Sequence, residues 1–371
     1  LTIRKPNEMS HPDLITLCVE LQCRGVRIVA AHTGRSGGAG PSEGQTIIIG
    51  GRYLNVPTAS WYVASSPYRI EKYDGRWSLF HATSYIQDIF FPSQPAFYNE
   101  LSPSGLPFKQ LALLHGCDCF ASTIYQDCLY WNTPNQCRFC GIGLSLKNNT
   151  TILTKDPVDL ACAAAFAAQH DGVRHVTLTT GAWHDELQGF EHLCACVRDI
   201  KKSAALPVHV QLHPPQNMQA FDQLKAVGVD TVGIHIEVGN TDLLSTMTPG
   251  KSALGIATYE TCWEHGVSVF GKNQVSSFLL AGLGETSQQL TDMVECIARL
   301  GVFPYILPLR PIPGTLLSDW RPPEPSYMMG LYTQTARILK KYGLESRKSK
   351  AGCVRCGACS SLSLFEEDAV S

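Results

Sequence analysis

The sequence predicts an α/β fold: a partial (β/α)6 barrel preceded by a β-rich lobe and followed by a cysteine-rich tail. Three observations predict it. From residue 111 onward, short apolar runs alternate with helix-length amphipathic segments, the signature of a parallel sheet with helical crossovers. Right-handed crossovers wind six such units into an open or partial barrel. Before that stretch the periodicity is strand-like, and it ends at a proline-rich segment over 92–108. The cysteines with metal-ligand spacing fall in two groups, one inside the alternating region and one after it.

Taken in order, SHPDLITLCVELQC (10–23) reads as a helix. Ser10 caps it, Asp13 lies in its first turn, and Leu14, Leu17, Cys18 and Leu21 form its apolar stripe, with a stop near Gly25. The Gly-rich piece GRSGGAGPSEG (34–44) lacks the Lys-Ser/Thr pair of a phosphate loop and reads as a loop. TIII, ASWYVA and YRIEKYDGRWSLF read as strands, the last as a hairpin turning at Asp74-Gly75. These divide the chain into a lobe over 1–105, a barrel over 106–325 and a cysteine-rich segment with its own helix over 326–371. The six expected barrel strands are 111–116, 175–181, 207–213, 231–237, 274–282 and 304–310, with helices 156–170, 187–203, 216–227, 252–265 and 286–300 between them and a further helix over 326–342. Functional loops belong at the carboxyl ends of such strands.

Composition narrows the function. The 30 basic and 32 acidic residues, with no long run of either sign, give no footprint for nucleic acid or an anionic membrane. No run of eighteen apolar residues is present and LTIRKPNEMSHPDL has no apolar signal region, so the expectation is a soluble, cytoplasmic protein acting on a small-molecule or carrier-protein-bound substrate. Fifteen cysteines, an odd number, argue for metal ligation of the clustered ones over a disulfide framework.

The stretch DCLYWNTPNQCRFCGIGL, Asp127 to Leu144, holds Cys128, Cys137 and Cys140. Three thiolates from one loop mount an iron-sulfur cluster at three points and leave one iron without a protein ligand, open to a small molecule. Phe139 stands between the last two cysteines, and Gly141-Ile142-Gly143 leave the following backbone bare. This loop resembles that of the radical S-adenosylmethionine (radical SAM) superfamily, in which three cysteines hold a [4Fe-4S] cluster whose fourth iron chelates SAM. It departs in its first gap, C-x8-C-x2-C where C-x3-C-x2-C is usual, and Cys117 and Cys119 compete with Cys128, the nearest, for the first ligand position.

The resemblance assigns further residues to SAM. Phe139 would lie along the adenine. Thr180 and Gly181 stand at the end of the second strand, where the family carries a Gly-rich turn, although Ala182 replaces the family's acidic residue. His209 and Gln211 share a face of the third strand with His213, and His235 shares one with Glu237 on the fourth, a carboxylate suited to ribose hydroxyls or the SAM ammonium. Ser277, Gly282 and Gly284 come from the fifth strand and its turn. Pro313 lies in RPIPGT (310–315), similar to the segment that closes over adenine in the biotin-synthase-related branch, with Arg310 as an anchor for a carboxylate.

Cys353, Cys356 and Cys359 form C-x2-C-x2-C, a spacing typical of iron-sulfur ligation, and imply a second [4Fe-4S] cluster with a fourth ligand such as Cys117 or Cys119. The chain as a whole resembles the radical SAM family encoded beside nitrilases in bacterial gene clusters. That resemblance implies reductive cleavage of SAM to a 5′-deoxyadenosyl radical, hydrogen abstraction from an unactivated C–H, and a reducing partner such as flavodoxin or ferredoxin. Sulfur insertion from the second cluster is the favoured continuation, with the tail near the mouth of the barrel. A radical dehydrogenase or carbon-skeleton enzyme is one alternative, and a non-catalytic zinc-stabilised binding protein is another.

Overall fold

Ser10 accepts the Asp13 amide at 3.4 Å and opens the helix His11–Arg24, which stops at Gly25, φ 69°. Ile15, Leu17, Cys18 and Leu21 bury its inner stripe. These residues are seen in a computed structural model that describes 10–29 and 44–368. All of the Gly-rich piece except Gly44 therefore lies outside the described residues.

The lobe holds β1 (Arg27–Ile28), β2 (Gly44–Ile49), β3 (Arg52–Pro57), β4 (Tyr68–Tyr73), β5 (Arg76–His81) and β6 (Ser84–Asp88). β2 pairs with β3, and the others form a sheet in the order β1-β4-β5-β6. The predicted hairpin is present: Asp74 and Gly75 take φ 49° and 78° between β4 and β5, the paired positive angles of a type I′ turn. ASWYVA is not a strand. Ser60, Val63 and Ser66 are buried at intervals of three, with Trp61 exposed, and Trp61–Ser65 is a 3-10 helix.

The main sheet has seven strands in the order β13-β12-β11-β10-β9-β8-β7, curled into a half-barrel. They are β7 (Leu113–His115), β8 (Cys119–Tyr125), β9 (His175–Thr180), β10 (Val208–Gln211), β11 (Thr231–Gly233), β12 (Val275–Ala281) and β13 (Phe303–Pro308). β8 through β13 run parallel, and β7 is antiparallel to β8. The first parallel strand is therefore CFASTIY, not the LALLHG run. Gly116, φ 58°, turns the chain back, so LALLHG contributes only an edge hairpin partner. β8 escapes a hydropathy reading because its small and hydroxylic residues, Cys119, Ala121, Ser122 and Thr123, are all buried.

The crossover helices fall where expected: Pro157–His170, Glu186–Ser203, Gln219–Ala226, Gly255–Phe270 and Ser287–Arg299. Asp156 caps the first by accepting from Val158 and Asp159, and Thr286 with Gln289 forms a capping box on the last. After the helix Pro325–Tyr342 the tail crosses the amino ends of the strands. Gln274 accepts from the Lys350 amide, Thr231 donates to the Ala351 carbonyl, and the Gly352 amide donates to His175 Nδ1. His175 and Thr231 are the first residues of β9 and β11. The tail thus closes the end of the barrel opposite the functional loops, whereas the expected position was near their mouth.

Candidate functional site

The loop bearing Cys128, Cys137 and Cys140 begins immediately after β8, at the carboxyl end of the sheet. Backbone bonds seat it. The Gln126 amide donates to Leu153 O at 2.7 Å and the Leu129 amide to Ala182 O at 2.8 Å. The far side is held by Arg138, whose amide donates to Met247 O at 2.9 Å, while the Gly250 amide donates to Asn135 O at 3.0 Å. Two glycines let the loop approach this closely. A Cβ on Gly181 would stand 1.8 Å from Asp127 O, and one on Gly250 would stand 2.6 Å from the Tyr130 ring. Gly181 therefore acts on the cluster loop, and Thr180 accepts from the Trp183 indole at 2.8 Å.

The three cysteines are free and partly exposed. They lie within electrostatic reach of one another, and burial pushes the Cys140 thiol up to about 12. Among the described residues no three His, Cys, Asp or Glu side chains are grouped to hold a metal ion. Phe139 is partly buried and packs against the core beside the cysteines.

A cation stands at this site that the sequence reading did not single out. Lys251 Nζ lies 2.6 Å from Glu237 Oε2 and donates to His235 O at 3.3 Å. Burial works to lower the Lys251 pKa, but Glu237 more than reverses it and the ammonium is held up. Cys137 feels this pair directly. Glu237 adopts φ 68°, which costs about 1–3 kcal/mol in a residue with a side chain. Its backbone still bridges to β12, the amide donating to Phe278 O and the carbonyl accepting from Leu280. The signal in the sequence was KS at the end of NTDLLSTMTPGKS, a lone lysine in an otherwise neutral turn.

The remaining SAM candidates divide by level in the barrel. His235 stacks on Phe278 with ring centroids 3.8 Å apart, accepts the Phe278 amide at Nδ1, and leaves its shielded Nε2 without a partner. Gly282 and Gly284, φ 101° and 109°, form the turn after β12, whose amides at Gly282 and Leu283 donate to Glu285. Ser277 is fully buried and accepts from the Ile236 amide, so its hydroxyl serves the β11–β12 seam. The segment around Pro313 reaches the cluster loop's far end, where a Cβ on Gly314 would lie 3.0 Å from Leu144. Arg310 donates to Asn55 Oδ1 of the lobe at 2.8 Å.

His209 and Gln211 face the tail. His209 is 2 % exposed and shares a hydrogen with Thr231 Oγ1 at Nδ1, and a Cβ on Gly352 would stand 2.6 Å from its ring. Burial pushes its pKa down to about 3, so the imidazole is neutral. Gln211 Nε2 donates to Cys353 Sγ at 3.6 Å. Cys353, Cys356 and Cys359 are free, partly exposed thiols, and burial pushes the Cys353 thiol up to about 12.

No protein-family model matches the chain. A curated protein, the bacteriochlorophyllide c C-7(1)-hydroxylase of Chlorobaculum limnaeum, is 25% identical over 238 residues, which is 57% of this chain and 57% of the relative. The chain thus spans little more than half the relative's length. Two solved structures resemble it in part of the backbone. Methylornithine synthase (PylB) gives a TM-score of 0.48 at 14% identity, over 68% of this chain and 70% of that one. HydG, a maturase of the [FeFe]-hydrogenase, gives 0.47 at 16% identity, over 61% and 50%. No described helix is long and apolar enough to cross a membrane.

Proposed function

We propose that the chain is a radical SAM enzyme that abstracts hydrogen from an unactivated C–H bond of its substrate. One observation carries the reading: three free thiols on one loop at the carboxyl end of β8, pinned by Gly181 and Gly250 beside the buried Lys251–Glu237 pair. A [4Fe-4S] cluster bound to Cys128, Cys137 and Cys140 would supply one-electron reductive cleavage of SAM to a 5′-deoxyadenosyl radical.

The chain's own residues bind, orient and shield. Cys137 lies within electrostatic reach of the Lys251 ammonium, a positive charge that would offset the negative charge of a thiolate-bound cluster. Glu237, held by Lys251, presents carboxylate oxygens from the segment that follows β11, bridged to Leu279 of β12, and His235 of the same segment has a shielded Nε2 without a partner. The glycine turn after β12 and the segment around Pro313 border the same end.

Hydroxylation at carbon, the chemistry in the relative's name, belongs to the class of C–H functionalisation and supports this reading over sulfur insertion. The RPIPGT segment keeps the biotin-synthase-related branch and the nitrilase-cluster family within the proposal. A small-molecule or carrier-borne substrate, a flavodoxin- or ferredoxin-type electron donor and a second cluster on Cys353, Cys356 and Cys359 complete it.

The test is anaerobic reconstitution with iron and sulfide, reduction with dithionite in the presence of SAM, and mass detection of 5′-deoxyadenosine. Brown protein that releases deoxyadenosine supports the proposal. A colourless zinc protein, or deoxyadenosine formed equally by the Cys140→Ala variant, defeats it.

A further inference from the structure

The tail cysteines meet a strand residue 234 positions earlier in the chain. Cys119, the first residue of β8, is 1 % exposed and lies within electrostatic reach of Cys353, Cys356 and Cys359. Its cross-strand partner on β9 is His175, the residue that accepts the Gly352 amide just ahead of Cys353. On the other side of β8's start, Gly116 touches the tail so closely that a Cβ would stand 2.7 Å from Cys356 Sγ. Strand register and tail docking therefore bring Cys119 up to the three tail cysteines.

We propose that Cys119 is the fourth protein ligand of an iron-sulfur cluster held by Cys353, Cys356 and Cys359, a closed [4Fe-4S] site with a thiolate on every iron. This deepens the reading above and rests on it for the presence of a second cluster. Four features favour Cys119. It is buried, its Sγ meeting Thr177 Oγ1 at 3.3 Å, whereas Cys117 is exposed. All four thiols are free, Cys119 buried and the three of the tail partly exposed. Gln211 already aims an amide donor at Cys353 Sγ, the kind of hydrogen bond that stabilises cluster sulfur. The Arg310 guanidinium, held on Asn55, lies within electrostatic reach of Cys359, a countercharge for an anionic cluster.

Full thiolate capping distinguishes this site from the Cys128 loop. No iron is left open, so neither substrate nor SAM coordinates there. The site carries charge or holds the barrel shut.

The experiment uses the full chain with Cys128, Cys137 and Cys140 all changed to alanine, so that only the second site can load. After anaerobic reconstitution, iron and sulfide are counted and the dithionite-reduced protein is examined by electron paramagnetic resonance. The expected result is about four irons per chain and a signal that SAM does not alter. Adding Cys119→Ala should remove a quarter or more of the iron and abolish or replace that signal, while Cys117→Ala should change neither. Full iron with an unchanged spectrum in the Cys119→Ala protein overturns the proposal, as does the Cys117→Ala protein behaving as expected for Cys119. Circular dichroism checks folding. If the alanine variant does not fold, Cys119→Ser replaces it, and a spectrum identical to the parent's is again fatal. A parent that binds no iron removes the second cluster, while deoxyadenosine from the wild type separately decides the first.

Discussion

The two cysteine groups are built in opposite ways. Cys128, Cys137 and Cys140 come from one loop, partly exposed, and are held by short backbone bonds to neighbouring turns. The other group joins Cys119, buried at the start of β8, to three partly exposed cysteines of the tail, where the Ala358 carbonyl accepts from Gln22 of the lobe. One arrangement takes all its thiols from a single loop, the other from two stretches of chain far apart in sequence. The contrast also explains the glycines: Gly181 brings a mobile-ligand loop down onto a strand end, and Gly116 brings a strand start up against Cys356.

The strongest way to break this contrast is Cys140→Ala. Deoxyadenosine production should fall to background in an anaerobic assay while second-site iron remains; loss of all iron would mean the two sites load as one. Next is the buried pair. Lys251→Met leaves Glu237 unpaired and should cost about 3–5 kcal/mol in chemical denaturation. The double variant with Glu237→Gln should recover most of that loss, since neither charge is then stranded.

The paired glycines sharpen the comparison. Gly181→Ala should destabilise by about 1–3 kcal/mol and lower SAM binding in titrations without affecting the second cluster's spectrum. Gly116→Ala should do the reverse. The smallest effect is acid sensitivity. His209 is held near 3 and His213 near 4 by burial, against about 6.5 in the unfolded chain. The unfolded chain then takes up protons that the folded one refuses. Their stabilising contribution is full above about pH 6.5 and shrinks as pH falls, by up to about 2 kcal/mol for His209 at pH 5. Anaerobic melting between pH 7 and 5 should show this slope, and His209→Gln should flatten it.

Much of this was legible beforehand. Helix positions followed from apolar spacing and caps, because Ser10, Asp156 and Thr286 cap locally. The hairpin at Asp74-Gly75 was readable because its turn demands residues that accept positive φ. β8 was hidden, since its buried residues are small and hydroxylic and their burial depends on neighbouring strands. Lys251 was hidden for a related reason: an isolated lysine reads as solvated until the fold places Glu237 against it. The tail's spacing led to the expectation of a metal site but did not give its end of the barrel, which hydrogen bonds to His175 and Thr231 decide.

Ala358, between two of the tail cysteines, accepts from the Asn55 amide and from Gln22, while Ser361 donates to Gln22 in return. These contacts join points 336 and 339 residues apart, so ordering them closes a very long loop of chain. If the proposed second cluster loads, metal binding and the docking of the helix His11–Arg24 become one cooperative event. Stripping the iron should speed amide exchange in that helix, well away from any sulfur.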